Sequence, residues 1–244
     1  MNLLKKQLRK KNQIAILLDP EKEYSINQFI TWLAIIDQFN IDYIFVGGST
    51  ATRIQIENAI ALLKKNTTIP VIIFPGSPEQ FSVEADGILF LNLISGRNLY
   101  YLIESQIQAA EDVYNSGITS ISTSYILIDG KNESSVAKIS NTEPINANNL
   151  DLIYKTALAG KLIGHEATYL EAGSGAKEII PLKVVEQISQ ITDLLIVGGG
   201  IHTEEQIYKL HNSGANIVVI GNHIEKNPEF LNEILNYKNQ HPTR

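Results

Sequence analysis

The feature that most constrains this chain is a regular alternation. Eight short apolar runs recur along it, separated by helical spacing or polar connectors. They are Ile14–Asp19, Asp42–Gly48, Val71–Gly76, Gly87–Leu93, Ser120–Asp129, Ala167–Gly173, Asp193–Gly200 and Asn216–Asn222. Runs this apolar read as parallel strands covered on both faces. Helical spacing predicts helices over Ile26–Phe39, Arg53–Lys65, Leu99–Asn115 and Asn148–Leu162, from Pro181 onward, over Thr203–Asn212 and near Pro228–Tyr237. Only a short connector joins the third run to the fourth, and the polar stretch Gly130–Asn149 reads as a loop over one mouth. Eight such units in 244 residues predict an α/β fold, a (β/α)8 barrel forming one domain over 1–244. An open doubly wound sheet is the rival.

Composition narrows the function classes. A net charge of −6 argues against a nucleic-acid partner. The absence of cysteine excludes disulfides and thiolate metal sites. No uncharged apolar run approaches the roughly 18 to 20 residues of a membrane helix. The basic start ends its apolar run at Asp19 without a small-residue cleavage site, a poor signal peptide. A cytoplasmic protein is the expectation. Lys5, Lys6, Arg9, Lys10 and Lys11 suit either a transient contact with an anionic membrane surface or a solvated first helix.

In a barrel the chemistry collects at the C-terminal ends of the strands. Those ends carry Asp19-Pro20, Gly47-Gly48-Ser49-Thr50, Pro75-Gly76-Ser77, Asn92 with Ser95-Gly96-Arg97, Glu171 to Gly175, Gly198 to Gly200, and Gly221-Asn222. Glycines after the seventh and eighth strands let backbone N–H groups approach an anion, and a helix N-terminus adds its dipole. A phosphate site is expected there; the alternative is that the three glycines form a tight turn. Asp19 with a hydroxyl from Ser49 or Thr50 is a sparse oxygen set of the kind Mg²⁺ accepts when phosphates supply the remaining ligands; the alternative is that Asp19-Pro20 is a turn or cap. Other motifs fail. "AGSGA" lacks the glycines of a nucleophile elbow, "GGGIHT" lacks the last glycine of G-x-G-x-x-G, and the five histidines form no close ligand pair.

Taken in order, "LLDPEK", "FVGGST", "FPGS", "ILFLNLISGRN", "YLEAGSGA", "VGGGI" and "IGN" resemble the geranylgeranylglyceryl phosphate synthase family, over nearly the whole chain. The resemblance implies a modified TIM barrel. It implies an activity that joins sn-glycerol 1-phosphate to a prenyl diphosphate through an ether bond, releasing diphosphate. By the same resemblance Asp19 and Ser49 would bind Mg²⁺. Tyr169, Leu170, Glu171, Ala172, Gly173, Ser174, Gly175, Gly199, Gly200, Gly221 and Asn222 would bind the glycerol phosphate. Glu171 would position the attacking hydroxyl or deprotonate it. A homo-oligomer is also implied.

One departure stands out. Leu17 occupies a position where some relatives carry a phosphate-binding lysine, and Lys22 follows instead. Two other readings fit a phosphate-binding barrel. An isomerase or aldolase would want a Schiff-base lysine or an acid–base pair at the mouth, and no predicted strand ends in lysine. A non-catalytic binder of phosphorylated metabolites or lipids would have no use for Asp19, Ser49 and Glu171 together. The other candidate role for Glu171 is a structural salt bridge.

Overall fold

Eight parallel strands close into a barrel in sequence order, from β1 (Gln13–Leu18), β2 (Tyr43–Val46), β3 (Val71–Ile73) and β4 (Gly87–Asn92) through β5 (Thr119–Leu127), β6 (Ala167–Glu171), β7 (Leu195–Gly198) and β8 (Ile217–Ile220). β8 pairs back onto β1 with Ala15 opposite Val219, which removes the open doubly wound alternative. This computed structural model describes residues 2–21, 33, 41–221 and 230–244. The expected helix over Ile26–Phe39 lies outside the described residues apart from Leu33, as do Lys22, Asn222 and the Pro228 start of the last helix.

Alternation along each strand divides the core. Ile14 and Ile16 of β1 pack outward against helices, while Ala15 joins Tyr43, Phe45, Ile72, Leu89, Ile121, Ile196 and Val219 inside the barrel. The interior is thus a filled core, as barrels of this size require. Outside it, the described helices are α1 (Leu3–Leu8), α2 (Arg53–Asn66), α3 (Ser105–Ser116), α4 (Ser135–Ser140), α5 (Leu150–Leu162), α6 (Leu182–Ser189), α7 (Glu204–Asn212) and α8 (Phe230–Gln240). Thr52 and Thr203 each close a capping box at the start of α2 and α7. No helix among the described residues is long and apolar enough to cross a membrane.

Several expectations change. Gly130–Asn149 is not irregular throughout. Ser134 caps the short helix α4 by accepting the N–H of Ala137 at 3.2 Å, and Ile145 bridges to Ile128 at the end of β5. A six-residue helix is too short to show a period in sequence. Pro181 stands at the N-cap of α6, so the helix begins one residue later. The run Leu99–Asn115 is helical, but its first part, Tyr100–Glu104, is a π-turn that leads into α3.

The N-terminal helix is not simply solvated. Leu4 and Leu8 are buried against the barrel core. Asn2 donates to the Thr119 hydroxyl at 2.9 Å, Lys5 pairs with Glu166 at 2.7 Å, and Asn216 donates to the Arg9 carbonyl at 2.9 Å. Those partners stand at the N-terminal ends of β5, β6 and β8. Helix α1 therefore closes the end of the barrel opposite the predicted site, and its basic residues belong to that end.

Between β3 and β4 the chain runs from Phe74 to Asp86 without a helix. Pro75, Gly76 and Pro78 break any helical pattern there. The usual outer layer is missing at this point, and a groove takes its place.

Candidate active site

The sequence-predicted residues converge. Asp19, Ser49, Tyr169, Glu171, Gly173, Ser174, Gly175, Gly199, Gly200 and Gly221 all line one cavity at the C-terminal mouth. Its volume of about 290 Å³ suits a ligand rather than a single water. Leu170 and Ala172 do not line it. Their side chains fall on the opposite face of β6 and its continuation, buried in the outer core at 0% and 3% exposure. Only their backbone belongs to the loop. Asn222 lies outside the described residues.

Glu171 is the last residue of β6 and points inward. It is buried, and no cation pairs with it among the described residues, which leaves the salt-bridge reading without a partner. Oε1 accepts the backbone N–H of Gly173 at 2.7 Å. Burial pushes the carboxyl up to about 7, against the smaller lowering effects of the Gly173 N–H and the Tyr169 hydroxyl. A carboxyl balanced near neutrality in a cleft suits a proton acceptor.

The loops around it are shaped by glycine. Gly199 has φ +88°, and a Cβ there would stand 2.7 Å from Oε1 of Glu171 and 2.8 Å from the Gly173 nitrogen. Any side chain at 199 would be both strained and obstructed, so this glycine brings the β7 loop against the β6 loop. Gly221 differs. Among the described residues a Cβ there would meet nothing nearer than Leu17 at 3.8 Å, at a position that lines the cavity. Asn132 fixes the β6 loop from outside by donating to the Ser174 carbonyl at 2.8 Å.

Three aromatic rings form the floor. Phe74 stacks on Tyr169 with centroids 5.1 Å apart and an 11° tilt, and Tyr125 lies 5.2 Å from Tyr169. Burial, and then the charge of Glu171, hold both tyrosines well above the usual phenol range, so both stay protonated. The Tyr169 hydroxyl is near enough to favour the Glu171 carboxylate. It is buried without a hydrogen-bond partner among the described residues. A ligand oxygen would satisfy it.

Asp19 and Ser49 lie on neighbouring loops after β1 and β2. A Cβ on Gly48 would come within 2.5 Å of Oδ1 of Asp19 and 2.9 Å of Oε1 of Glu21, so two carboxylates crowd one bare backbone position. Only oxygen donors gather here, and that chemistry fits a hard divalent cation. No cluster of three or more acidic, histidine or cysteine ligands occurs among the described residues. Such an ion would rely on substrate oxygens for much of its shell.

The cavity continues past the strand ends. Ile88 and Phe90 on the outer face of β4, Ala109 and Val113 of α3, and Phe81 of the helix-free connector line its apolar arm. An acid, a glycine cradle and an apolar groove thus open into one space. Sequence reading missed Phe74, Tyr125, Glu21 and the groove residues. Tyr125 and Phe74 carried one available signal, their inward parity on β5 and just beyond β3.

Comparisons with known proteins show the family. A model of the PcrB family matches residues 6–238. Geranylgeranylglyceryl phosphate synthase of Flavobacterium johnsoniae is 48% identical over 225 residues, spanning 89% of this chain and 90% of the relative. The protein of the same name from Zunongwangia profunda is 45% identical over 221 residues, spanning 90% and 93%. Among solved structures, (S)-3-O-geranylgeranylglyceryl phosphate synthase from Thermoplasma acidophilum, in complex with its substrate sn-glycerol-1-phosphate, aligns with a TM-score of 0.88 at 29% identity. That alignment covers 97% of this chain and 98% of the other.

Proposed function

The chain belongs to the PcrB family, and from that premise we propose that it is a prenyltransferase that forms geranylgeranylglyceryl phosphate from sn-glycerol 1-phosphate and geranylgeranyl diphosphate. The observation that carries this reading is the single cavity in which Glu171, the glycine loops and an apolar groove meet.

Glycerol phosphate sits with its phosphate among the backbone groups of Gly173 to Gly175, Gly199, Gly200 and Gly221. Its free primary hydroxyl then faces Glu171. The prenyl chain lies along Phe81, Ile88, Phe90, Ala109 and Val113, which exclude water from it. In the reaction the hydroxyl oxygen bonds to C1 of the prenyl group. The bond from C1 to the diphosphate oxygen breaks, and diphosphate leaves with the electron pair. Glu171 takes the hydroxyl proton through its carboxylate. Holding both reactants in line supplies much of the acceleration. Protonated Tyr169 offers its unpartnered hydroxyl beside the carboxylate, where it orients the acceptor oxygen.

Asp19 and Ser49 would hold Mg²⁺, which when bound neutralises charge on the leaving diphosphate. A cytoplasmic location and a homo-oligomeric assembly form part of the same proposal.

The test is turnover with radiolabelled geranylgeranyl diphosphate and sn-glycerol 1-phosphate, with the product identified by mass spectrometry. Ether product with stoichiometric diphosphate release is expected. Tight binding of glycerol phosphate without product under any divalent ion would make the protein a binder instead.

A further inference from the structure

For Asp19 and Ser49 to serve one ion, the loops after β1 and β2 must hold a fixed separation. A third side chain joins those loops. Oε1 of Glu21 accepts the backbone N–H of Thr50, and Oε2 accepts the Thr50 hydroxyl, both at 2.6 Å. The backbone N–H of Glu21 donates in turn to Oδ1 of Asp19 at 3.1 Å. Glu21 thus contacts Asp19 through its backbone and the residue after Ser49 through its side chain.

The β2 loop is also held from the other side. Gln80 is 1% exposed, and its Nε2 donates to the carbonyls of Gly48 and Ala51 at 2.8 and 2.9 Å. Its Oε1 accepts the N–H of Gly76 at 2.8 Å. Gly48 and Ala51 are therefore tied to the β3 loop, Thr50 is tied to the β1 loop, and Ser49 lies between the ties.

We propose that Glu21 is a positioning residue: by clamping Thr50 at two points it sets the distance between Asp19 and Ser49, and it does so without ligating the cation itself. Each of its oxygens accepts one hydrogen bond from Thr50, so the carboxylate is oriented by the β2 loop. This inference rests on the cation reading of Asp19 and Ser49.

Two substitutions separate clamp from ligand. Glu21→Gln keeps the clamp, because Oε1 can accept the Thr50 N–H while Nε2 donates to the Thr50 hydroxyl, but it removes the charge. Glu21→Ala removes both. The experiment is calorimetric binding of Mn²⁺ to the full chain, alone and with inorganic diphosphate. Supporting residues of metal ligands typically contribute about 10- to 100-fold in affinity, so Glu21→Ala is expected to weaken Mn²⁺ binding by about that factor, with Glu21→Gln within about threefold of the parent. Thr50→Val should weaken it less than Glu21→Ala, and should add nothing in the Glu21→Ala background. Glycerol phosphate affinity should be the same in all variants. If Glu21→Gln binds as weakly as Glu21→Ala, the charge itself is required and the proposal is overturned. Parental affinity in Glu21→Ala overturns it too, and leaves the cation reading standing. A parent chain that binds no Mn²⁺ under either condition overturns the cation reading and this inference with it.

Discussion

Oε1 of Glu171 accepts the backbone N–H of Gly173 at 2.7 Å, so the proposed proton acceptor is held by the loop proposed to cradle the phosphate. On the proposed function, substrate and base would be placed by the same few residues. A shift in the loop moves both together, which preserves their spacing better than two independent supports would.

That arrangement carries a stability cost. The Glu171 carboxyl rises from 4.5 to about 7 on folding, chiefly through burial, so the folded chain holds its proton more tightly than the unfolded chain does. The resulting stabilisation is full below about pH 4.5 and is lost as pH rises through about 7. Glu171→Gln cannot ionise and should escape the loss. At pH 8 its urea midpoint should lie above the parent's, with an unfolding free energy greater by on the order of 3 kcal/mol at most. At pH 4 the two should agree. A lower midpoint for the variant at pH 8 would contradict the burial account.

For the phosphate, the structure selects Gly221 over Gly199. Gly199→Val would be strained at φ +88° and would strike Glu171, so it reports on folding. A Cβ at Gly221 meets no described residue closer than 3.8 Å, and the position lines the cavity. Gly221→Val should leave the melting temperature near the parent's. Losing one hydrogen bond to a charged group is worth about 1.5–3 kcal/mol, so glycerol phosphate should bind roughly 10- to 100-fold more weakly. Unchanged affinity by calorimetry would remove Gly221 from the site.

Asp19→Asn keeps the shape of the β1 loop and removes the charge proposed to hold the ion. Turnover should collapse while glycerol phosphate binding survives, because that ligand is proposed to bind on the far loops. Parental activity at saturating Mg²⁺ would rule the role out.

A second titration sits away from the site. His211 of α7 is buried, with Nε2–H donating to the Gln13 carbonyl at 3.0 Å and Nδ1 accepting from the Tyr237 hydroxyl. Burial drives it from 6.5 down to about 3. Below pH 6.5 the unfolded chain takes up a proton that the folded chain refuses, so this contribution to stability falls progressively toward pH 3. The slope opposes that of Glu171 and is best measured in Glu171→Gln. In that background, adding His211→Gln should flatten the midpoint between pH 6.5 and 4. A slope unchanged by the substitution would show that other groups govern acid unfolding.

Much of this was legible in the sequence, for reasons that particular residues show. Strands such as Ile14–Leu18 announce themselves because apolar residues on both faces leave few other folds. Asp19, Glu171 and Gly199 could be placed because a barrel strand must end at the mouth. Alternation also explains why Leu170 and Ala172 face outward: one step along β6 from Glu171 reverses the side. Helix α4 escaped notice because six residues carry no period. The Glu21–Thr50 clamp and the Gln80 tie join segments distant in sequence, 29 residues apart for Thr50 and Ala51 and 32 for Gly48, and no local pattern records such a pairing. The apolar groove was hidden for a related reason. It is made by the absence of a helix after β3 together with α3 residues, and neither signals the other.

The most direct test of the account is the single-turnover rate of Glu171→Gln across pH, beside the parent. The parent's chemical step should rise with pH and level off above about 7 as the carboxylate forms. The variant should lose that limb and run roughly 10²- to 10⁴-fold slower on the plateau, the usual contribution of general base catalysis. Both substrates should bind it about as well as they bind the parent. A folded Glu171→Gln protein with the parental rate and the parental pH profile would contradict the claim that Glu171 takes the proton.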